Sequence, residues 1–414
     1  MPKNYKIKRY RRVYRSGPHP LTILLSILGI AALIFVGISI YSPVYNFIMG
    51  QKNNERPLPS QPDPLPVSSE AQQEEEPPEP EPAPAAVVPE LLRTVYMPPE
   101  TALNEAARDA FLDGLGEDVK TVLIDIKDKQ GVVLFGSWNE QAAQWKTVQE
   151  NPLNLNAFAS ALRDRGLQLA VRLPAFNDRA APFGDRSNAI HYQNGDMLWL
   201  DAALNAGGKP WLNPYADGAQ QYIVDLAVEA VEAGAVMVVL EDVQFAPGSS
   251  SASATFGETG GKSRQEVLRE FVGRITAEVE AAGGRLGVYL PVTALTDNGV
   301  TRERYGGSGA EILDGTLVLG LLPYQFTNDY VQDGLSIPSP LADPAQTVQT
   351  ALAYVYELLE GKEIEIIPLI QGGSEAQNPV TPAQMAEQLD RLAGLEVKDF
   401  ILHQTQGQYV AAAR

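Results

Sequence analysis

The feature that most constrains the fold is an alternation of short apolar runs with stretches of helical periodicity, which begins at residue 91. Eight apolar runs predict β-strands, at 91–96, 121–126, 167–173, 236–240, 286–290, 316–320, 364–369 and 399–403. Stretches between them predict helices, at 104–115, 155–165, 219–232, 263–282, 347–359 and 382–392. Strands that alternate with helices in this way are typical of an α/β fold of the (β/α)8 TIM-barrel type, with an open doubly wound sheet as the alternative.

Glycines mark the expected ends of four helices, at Gly166, Gly234, Gly283 and Gly394. Glycine is favoured just after a helix because it adopts the left-handed backbone conformation there without steric strain. We therefore expect a positive φ angle at each of these positions.

The run at 236–240 is followed directly by two carboxylates, Glu241 and Asp242. Consecutive apolar residues of this kind predict a strand buried on both faces, as in a parallel sheet. TIM barrels carry their active sites where the strands end and the next loops begin. Neighbouring strand residues point to opposite faces, so the sequence leaves open which of the two acids faces the barrel mouth.

Other carboxylates lie at or just past predicted strand ends, namely Asp125, Asp128, Asp178 and Glu375. Hydrolysis of a glycosidic bond uses two carboxylates, about 5–5.5 Å apart in retaining enzymes and about 6.5–9.5 Å apart in inverting enzymes. If the chain is such an enzyme, we expect Glu241 to act as nucleophile or base. The general acid would come from Asp125, Asp242 or Glu375.

Substrate binding is expected from polar residues near the same strand ends. Arg172, on the third predicted strand, is expected to pair with Asp125 or to orient Glu241, and a purely structural ion pair is the alternative. Further candidates for substrate binding are Asp178, Gln371 and His403.

The loop at 174–216, after the third predicted strand, is rich in aromatic residues. Trp199, Trp211 and Tyr215 are the candidates for sugar binding, since sugars stack their C–H faces on aromatic rings while their hydroxyls take hydrogen bonds. The alternative is that these aromatic side chains pack the loop against the barrel.

Five segments of the chain together resemble the putative glycosyl hydrolase domain family, a branch of TIM barrels related to the α-amylase-like glycosidases. They occur in the family order, at 93–96 (RTVY), 122–128 (VLIDIKD), 171–178 (VRLPAFND), 211–215 (WLNPY) and 240–247 (LEDVQFAP). The resemblance covers about residues 91–410. It implies a carbohydrate-active barrel.

Within this resemblance, Glu241 occupies the place of the Asp that the family pattern implies is catalytic, and Gln244 replaces an Arg. Later departures from the family pattern fall at Pro291, Gln325, His403 and Gln404. These are polar site positions, while the apolar barrel pattern is retained. That combination supports an alternative in which the barrel binds glycan, as an envelope scaffold, without efficient hydrolysis.

The composition argues against several other chemistries. The absence of cysteine removes disulfides, thiol catalysis and Cys-ligated zinc, and three histidines without clustering predict no metal site. No motif for a cofactor is present. A lyase or aldolase barrel would need a Schiff-base lysine, and Lys127 is the only candidate at a predicted strand end.

The amino-terminal part predicts a membrane anchor. Residues 1–20 are basic, and residues 21–41 are uncharged and mostly apolar, long enough to span the roughly 30 Å hydrocarbon core. The positive-inside rule then places residues 1–20 in the cytoplasm and the barrel, 91–414, outside the cell, with cleavage as a signal peptide as the alternative. The Pro- and Glu-rich segment 51–90 predicts an extended linker.

Charge also bears on the partners of the chain. The first 50 residues carry a formal charge of +7, and the chain's total of −19 therefore leaves −26 on the rest. So acidic a domain argues against nucleic-acid binding. Together with the family resemblance and the strand-end carboxylates, the membrane segment predicts a membrane-anchored extracellular glycoside hydrolase that acts on cell-envelope or extracellular polysaccharide, including peptidoglycan glycan.

Overall fold

The computed structural model describes residues 93–193, 195–375 and 378–410. Eight parallel strands form a closed barrel in chain order, and the eighth strand pairs with the first. This closure confirms the TIM-barrel prediction over the doubly wound alternative. The barrel strands are β1 (Arg93–Met97), β2 (Val119–Asp125), β3 (Gln168–Pro174), β4 (Ala235–Glu241), β5 (Arg285–Pro291), β6 (Thr316–Gly320), β7 (Glu365–Gln371) and β8 (Phe400–His403).

A principal helix follows each of the first seven strands. These helices are α1 (Glu105–Asp113), α2 (Leu155–Asp164), α3 (Asp217–Glu232), α4 (Arg264–Ala281), α5 (Gly299–Tyr305), α6 (Pro344–Leu358) and α7 (Pro382–Gly394). All six predicted helices are present, and α5 fills the connection in which no helix was predicted. Within the described residues no helix follows β8.

Short elements decorate the loops. Three two-stranded ribbons pair Val133–Phe135 with Val148–Leu153, His191–Tyr192 with Ala254–Thr255, and Tyr330–Gln332 with Leu335–Ile337. Short α-helices lie at Pro99–Leu103, Glu140–Trp145 and Ala181–Gly184. Single 3-10 turns lie at Arg186–Asn188, Leu204–Ala206, Val292–Ala294, Gly309–Ile312 and Pro323–Gln325.

The strands bury two separate apolar clusters, one on each face of the sheet. Met237 and Val239 of β4 belong to a small cluster contributed by the strands around the barrel, which is the barrel interior. Val238 and Leu240 belong to the large cluster between strands and helices. Because side chains alternate along a strand, Glu241 continues the inward-facing set. The sheet geometry thus points Glu241, at the carboxyl end of β4, toward the barrel mouth.

Three of the four expected helix ends are confirmed. Gly166, Gly234 and Gly283 directly follow the C-caps of α2, α3 and α4, with φ angles of 72°, 107° and 89°. The prediction for Gly394 is wrong, since it is the last residue of α7 and Glu396 takes the left-handed conformation instead, at a φ of 58°.

The predicted tail (1–20), membrane segment (21–41) and linker (51–90) lie outside the described residues. Across 93–193, 195–375 and 378–410, no helix combines the length and apolar character needed to cross a bilayer.

Candidate active site

The strands place a group of polar side chains at the carboxyl end of the barrel interior. Each of these side chains points into the barrel. Either it belongs to the inward-facing apolar cluster, or it lies two residues after a member of that cluster on the same strand. The group consists of Tyr96, Asp125, Arg172, Glu241, Tyr289, Gln371 and His403. Seven of the eight strands contribute one residue each to this group, so one small volume collects carboxylate, guanidinium, phenol, amide and imidazole groups.

Arg172 joins two of the predicted acids. Its Nε lies 2.5 Å and its Nη2 3.1 Å from the Asp125 carboxylate, a bidentate pair. Its Nη1 lies 3.3 Å from Oε1 of Glu241. Burial disfavours the charge on Arg172, but Glu241 and Asp125 outweigh that effect and raise the pKa of Arg172 well above its ordinary value. Both expectations for Arg172, pairing with Asp125 and contacting Glu241, are met at once.

Tyr96 supports this ion network from β1. Its hydroxyl donates a 2.7 Å hydrogen bond to Asp125, and its ring lies 4.5 Å from the guanidinium carbon of Arg172. Burial, reinforced by the charge of Asp125, raises the pKa of Tyr96, so the phenol remains a hydrogen-bond donor. The imidazole of His403 also stacks on the Tyr96 ring, with the ring centroids 4.7 Å apart. Burial and the charge of Arg172 lower the pKa of His403 to about 3, which keeps the imidazole neutral.

Asp242 also reaches the mouth, which strand alternation alone does not predict. Its backbone is left-handed, with a φ of 52°, so the alternation ends at Glu241. Lys129 lies 3.2 Å from the Asp242 carboxylate and 3.6 Å from that of Glu241. Asn177 and Gln244 donate further hydrogen bonds to Asp242, at 3.0 and 3.2 Å. The expectation that the two acids face opposite ways is therefore wrong.

Lys129 is the cation that bridges the two acids, and the sequence analysis missed it. Burial disfavours the charge on Lys129, yet Glu241 and Asp242 raise its pKa overall. Tyr289, also missed, accepts a 3.0 Å hydrogen bond from Gln325, and burial raises its pKa to about 12. The alternation that points Glu241 inward identifies Tyr96 and Tyr289 as well, once the strand registers are known.

The comparison with protein families gives this geometry a context. A family model described as a putative glycosyl hydrolase domain matches residues 94–409. The chain belongs to this family. The match begins at the second residue of β1 and ends beyond β8. It therefore includes all eight strands and the side chains joined around Arg172, namely Tyr96, Asp125 and Glu241, which together are called the Arg172 network.

Several solved structures are similar to the chain, and the first one named here has the same fold. The glycoside hydrolase domain of PgaB from Bordetella bronchiseptica is 13% identical, with a TM-score of 0.51, over 77% of this chain and 95% of that one. A hypothetical protein from Ruminiclostridium thermocellum is 23% identical, with a TM-score of 0.41, over 47% of this chain and 96% of that one. An α-galactosidase from Thermus thermophilus is 13% identical, with a TM-score of 0.47, over 80% and 61%. Among curated proteins, no sequence matches the chain.

Two other predicted site residues, Glu375 and Gln371, form hydrogen bonds that hold loops in place. Glu375 accepts hydrogen bonds from the backbone and hydroxyl of Thr405, which ties the loop after β7 to the loop after β8. Gln371 is buried, and its amide donates to the carbonyls of Gly373 and Asn378, at 2.8 Å each. Glu375 thus makes no contact with the Arg172 network among the hydrogen bonds and ion pairs of the described residues.

The prediction that Asp178 binds substrate is wrong. Its carboxylate forms a 2.8 Å ion pair with Lys127, and both side chains are 0% exposed. Its second oxygen accepts from the backbone of Ala180 and Ala181, at 2.9 Å each. Neither the acid nor the lysine is accessible to a substrate, so the Schiff-base alternative at Lys127 fails for the same reason.

The two predicted tryptophans pack the long loop rather than offering faces to sugar. Trp199 and Trp211 are only 4% and 3% exposed. Their indole nitrogens donate to Ser253 at 3.3 Å and to Asp201 at 2.8 Å. Tyr215 is half-buried against Phe245 and Phe256. The prediction of sugar stacking on the two tryptophans is therefore wrong, and the packing alternative holds.

Metal ligands do not cluster in the part of the chain that the structure describes. No group of three or more His, Asp or Glu side chains there is placed to hold an ion. The chemistry available at the mouth is that of carboxylates positioned by Arg172, Lys129 and tyrosines.

Proposed function

We propose that the chain is a glycoside hydrolase whose reaction takes place at the barrel mouth, with Glu241 as nucleophile or base. The observation that carries the proposal is the convergence of Asp125 and Glu241 on one guanidinium, that of Arg172. Because both carboxylates contact one guanidinium, they lie no more than about 9 Å apart, which does not exceed the largest separation that glycosidases use. Membership of a family described by this activity supports the same conclusion.

Among Asp125, Glu241 and Asp242, Glu241 has the longest contacts with its partners. Its two oxygens have contacts of 3.3 and 3.6 Å, both with cations. Asp125, in contrast, already accepts three hydrogen bonds, from Arg172 and Tyr96. An attacking carboxylate needs an unoccupied lone pair and a fixed direction, and Glu241 combines both.

Two residues are candidates for the general acid. Asp242 shares Lys129 with Glu241, so their nearest oxygens lie no more than about 7 Å apart. Asp125 lies on the other side of Arg172. An aryl glycoside with a good leaving group needs little protonation. The general-acid variant, Asp242→Asn or Asp125→Asn, should therefore retain activity on that substrate while losing it on unactivated glycan.

The decisive experiment is Glu241→Gln in the full-length protein, which removes charge with little change in volume. We expect kcat on glycan to fall by about three orders of magnitude or more, with the free energy of unfolding unchanged within about 1 kcal/mol. Glu270→Gln, on the exposed face of α4, is the matched control and should retain full activity. Equal activity of Glu241→Gln and wild type would refute the assignment.

A glycan-binding barrel without hydrolysis is the second candidate. It is favoured by the pairing of Asp125, Glu241 and Asp242 with cations at the mouth. In that case the wild type would hydrolyse no glycan, and Glu241→Gln would bind as the wild type does.

We also propose that residues 21–41 anchor the chain in the membrane, with the barrel outside the cell and cell-envelope or extracellular polysaccharide as substrate. The support is the basic 1–20 segment before the apolar stretch and the Pro- and Glu-rich spacer after it.

A further inference from the structure

A cavity of about 480 Å³ lies on the flank of the barrel, away from the Arg172 network. Its wall includes Glu229 and Glu232, in the last turn of α3, just before β4 begins at Ala235. Glu241 ends the same strand six residues later, which corresponds to about 20 Å at ~3.3 Å per residue. The cavity is therefore too far from Glu241 to be part of the catalytic centre.

Trp138 stands at the rim of this cavity with 65% of its surface exposed. An indole this exposed at the rim of a cavity offers a flat apolar face on which a ligand can stack. Trp199 and Trp211, in the same domain, are almost completely buried, so the barrel has not simply failed to bury its indoles.

The backbone that carries Trp138 is held in place by Glu229 of α3. One oxygen of Glu229 accepts a 2.7 Å hydrogen bond from the backbone N–H of Trp138, and the other accepts a 2.6 Å bond from the hydroxyl of Ser137. Asn139 then caps the helix Glu140–Trp145. The indole is thus presented from a fixed segment between two anchored residues.

Glu229 itself is buried, and burial raises its pKa. Among the described residues, no Lys or Arg forms an ion pair with it. A buried carboxylate without a cation is costly, and here it is retained where it fixes the Trp138 segment. This is the arrangement expected of a binding site whose aromatic group must be preorganised.

The other groups around the cavity indicate the ligand class. Asn156 and Glu232 are exposed at the lining beside Trp138, and Pro152 adds an apolar surface. An exposed ring beside amide and carboxylate groups suits a sugar, which stacks on the ring and hydrogen-bonds through its hydroxyls. The described lining contains two glutamates and neither Lys nor Arg, so it disfavours anionic glycans.

We propose that this cavity is a second, non-catalytic binding site for neutral glycan chains, with Trp138 as its stacking platform and Glu229 as the residue that positions it. This site goes beyond the proposed hydrolysis. It would hold a polymer on the flank of the barrel while another segment occupies the mouth.

The test is a binding titration of the full-length protein in detergent, in the Glu241→Gln background so that no probe is consumed. The probes are the neutral tetrasaccharides of glucose and of N-acetylglucosamine, and the anionic tetrasaccharide of galacturonic acid. Trp138→Ala should weaken binding of at least one neutral probe about tenfold, and Trp138→Phe should weaken it less. Tyr356→Ala, which removes an aromatic ring 41% exposed on α6, is the matched control and should bind as the parent does.

A positioning role for Glu229 has its own readout. Glu229→Gln should weaken the same binding, although Glu229 does not itself reach the exposed face of the indole. The cleavage rate of a short aryl glycoside, measured with Glu241 intact, should be unchanged by Trp138→Ala. No binding of either neutral probe by the parent, equal binding by Trp138→Ala, or tighter binding of the anionic probe would overturn the inference. If the wild type hydrolyses no glycan but Trp138→Ala still weakens glycan binding, the proposed hydrolysis would be refuted and the proposed flank site would stand.

Discussion

Lys127 and Asp178 form a completely buried ion pair, with 2.8 Å between the lysine nitrogen and the carboxylate. The lysine ends above the ring of Tyr222, 5.5 Å from its centroid, and Gly131 approaches so closely that a β-carbon there would overlap Asp178. The pair joins the loop after β2 to the loop after β3. Those two loops also carry Lys129 and Asn177, so the pair determines where the cations and amides around Asp242 stand.

Removal of one partner of this pair should be strongly destabilising. Asp178→Ala leaves a buried lysine without a counter-charge, and we expect the free energy of unfolding to fall by about 3–5 kcal/mol. Urea denaturation followed by circular dichroism measures it. Glu270→Ala, which breaks the exposed pair with Lys262, is the control and should leave the urea midpoint unchanged. Equal midpoints for both variants would contradict this account.

Arg172→Lys should separate geometry from charge. Lysine keeps the positive charge but cannot bind Asp125 through two nitrogens while a third contacts Glu241. We expect kcat on glycan to fall about 100-fold, because the two carboxylates are no longer held in one arrangement. Steady-state kinetics with purified protein measures the change. Full activity in Arg172→Lys would show that the clamp is not required for the reaction.

His403 should make stability depend on pH. Its pKa is about 3 in the folded chain, against 6.5 for an ordinary histidine, so below pH 6.5 the unfolded chain binds a proton that the folded chain does not. The stability that the neutral His403 allows is fully present above pH 6.5, and it is lost progressively as the pH falls toward 3. Relative to His403→Gln, the wild type should lose roughly 2–3 kcal/mol of unfolding free energy between pH 7 and pH 4.5. Parallel pH dependence of the two proteins would contradict the burial of a neutral imidazole.

Trp211→Ala should act on folding rather than on glycan binding. The indole is 3% exposed and hydrogen-bonded to Asp201, so its removal leaves a cavity and deprives one oxygen of the Asp201 carboxylate of its donor. We expect a loss of about 3–5 kcal/mol in the free energy of unfolding. A variant as stable as wild type that has lost glycan affinity would contradict this expectation and would support sugar stacking on Trp211.

The proposed topology predicts the fate of the barrel on intact cells. If the Pro- and Glu-rich segment 51–90 is the linker that its composition predicts, external protease should cleave within it and release the barrel. Immunoblotting of the medium and of the cells measures it, and a cytoplasmic protein of the same cells serves as the control. Protection of the barrel from external protease would refute the extracellular placement.

The strands could be predicted closely because a buried parallel strand leaves an uninterrupted apolar run, as at 236–240. The same periodicity points Glu241 inward. It fails one residue later, since the left-handed backbone at Asp242 depends on a tertiary setting that includes Asn177 and Lys129. Periodicity describes one strand at a time, and the site consists of contacts between strands.

The aromatic residues show a second limit of the sequence. Trp199, Trp211 and Trp138 all lie in loops after strands, and composition alone cannot separate a packed ring from an exposed one. The deciding observations are their partners, Ser253 and Asp201 for the buried pair and the Glu229-bound backbone for the exposed one. Each of these partners lies at least ten residues away along the chain.

The pairing of β1 with β8 has a consequence for biosynthesis. The two strands are some 300 residues apart, and Tyr409 reinforces their junction: its hydroxyl lies 2.6 Å from the carbonyl oxygen of Tyr96, to which it donates, and 3.1 Å from that of Leu402. A ribosome that makes this chain releases β1 long before its partner exists. One edge of β1 therefore stays unpaired until β8 has been made, and an unpaired strand edge is open to wrong pairing in the meantime. The stacked pair Tyr96–His403 can form only once β8 is present, so the barrel mouth is completed by the last strand to be made.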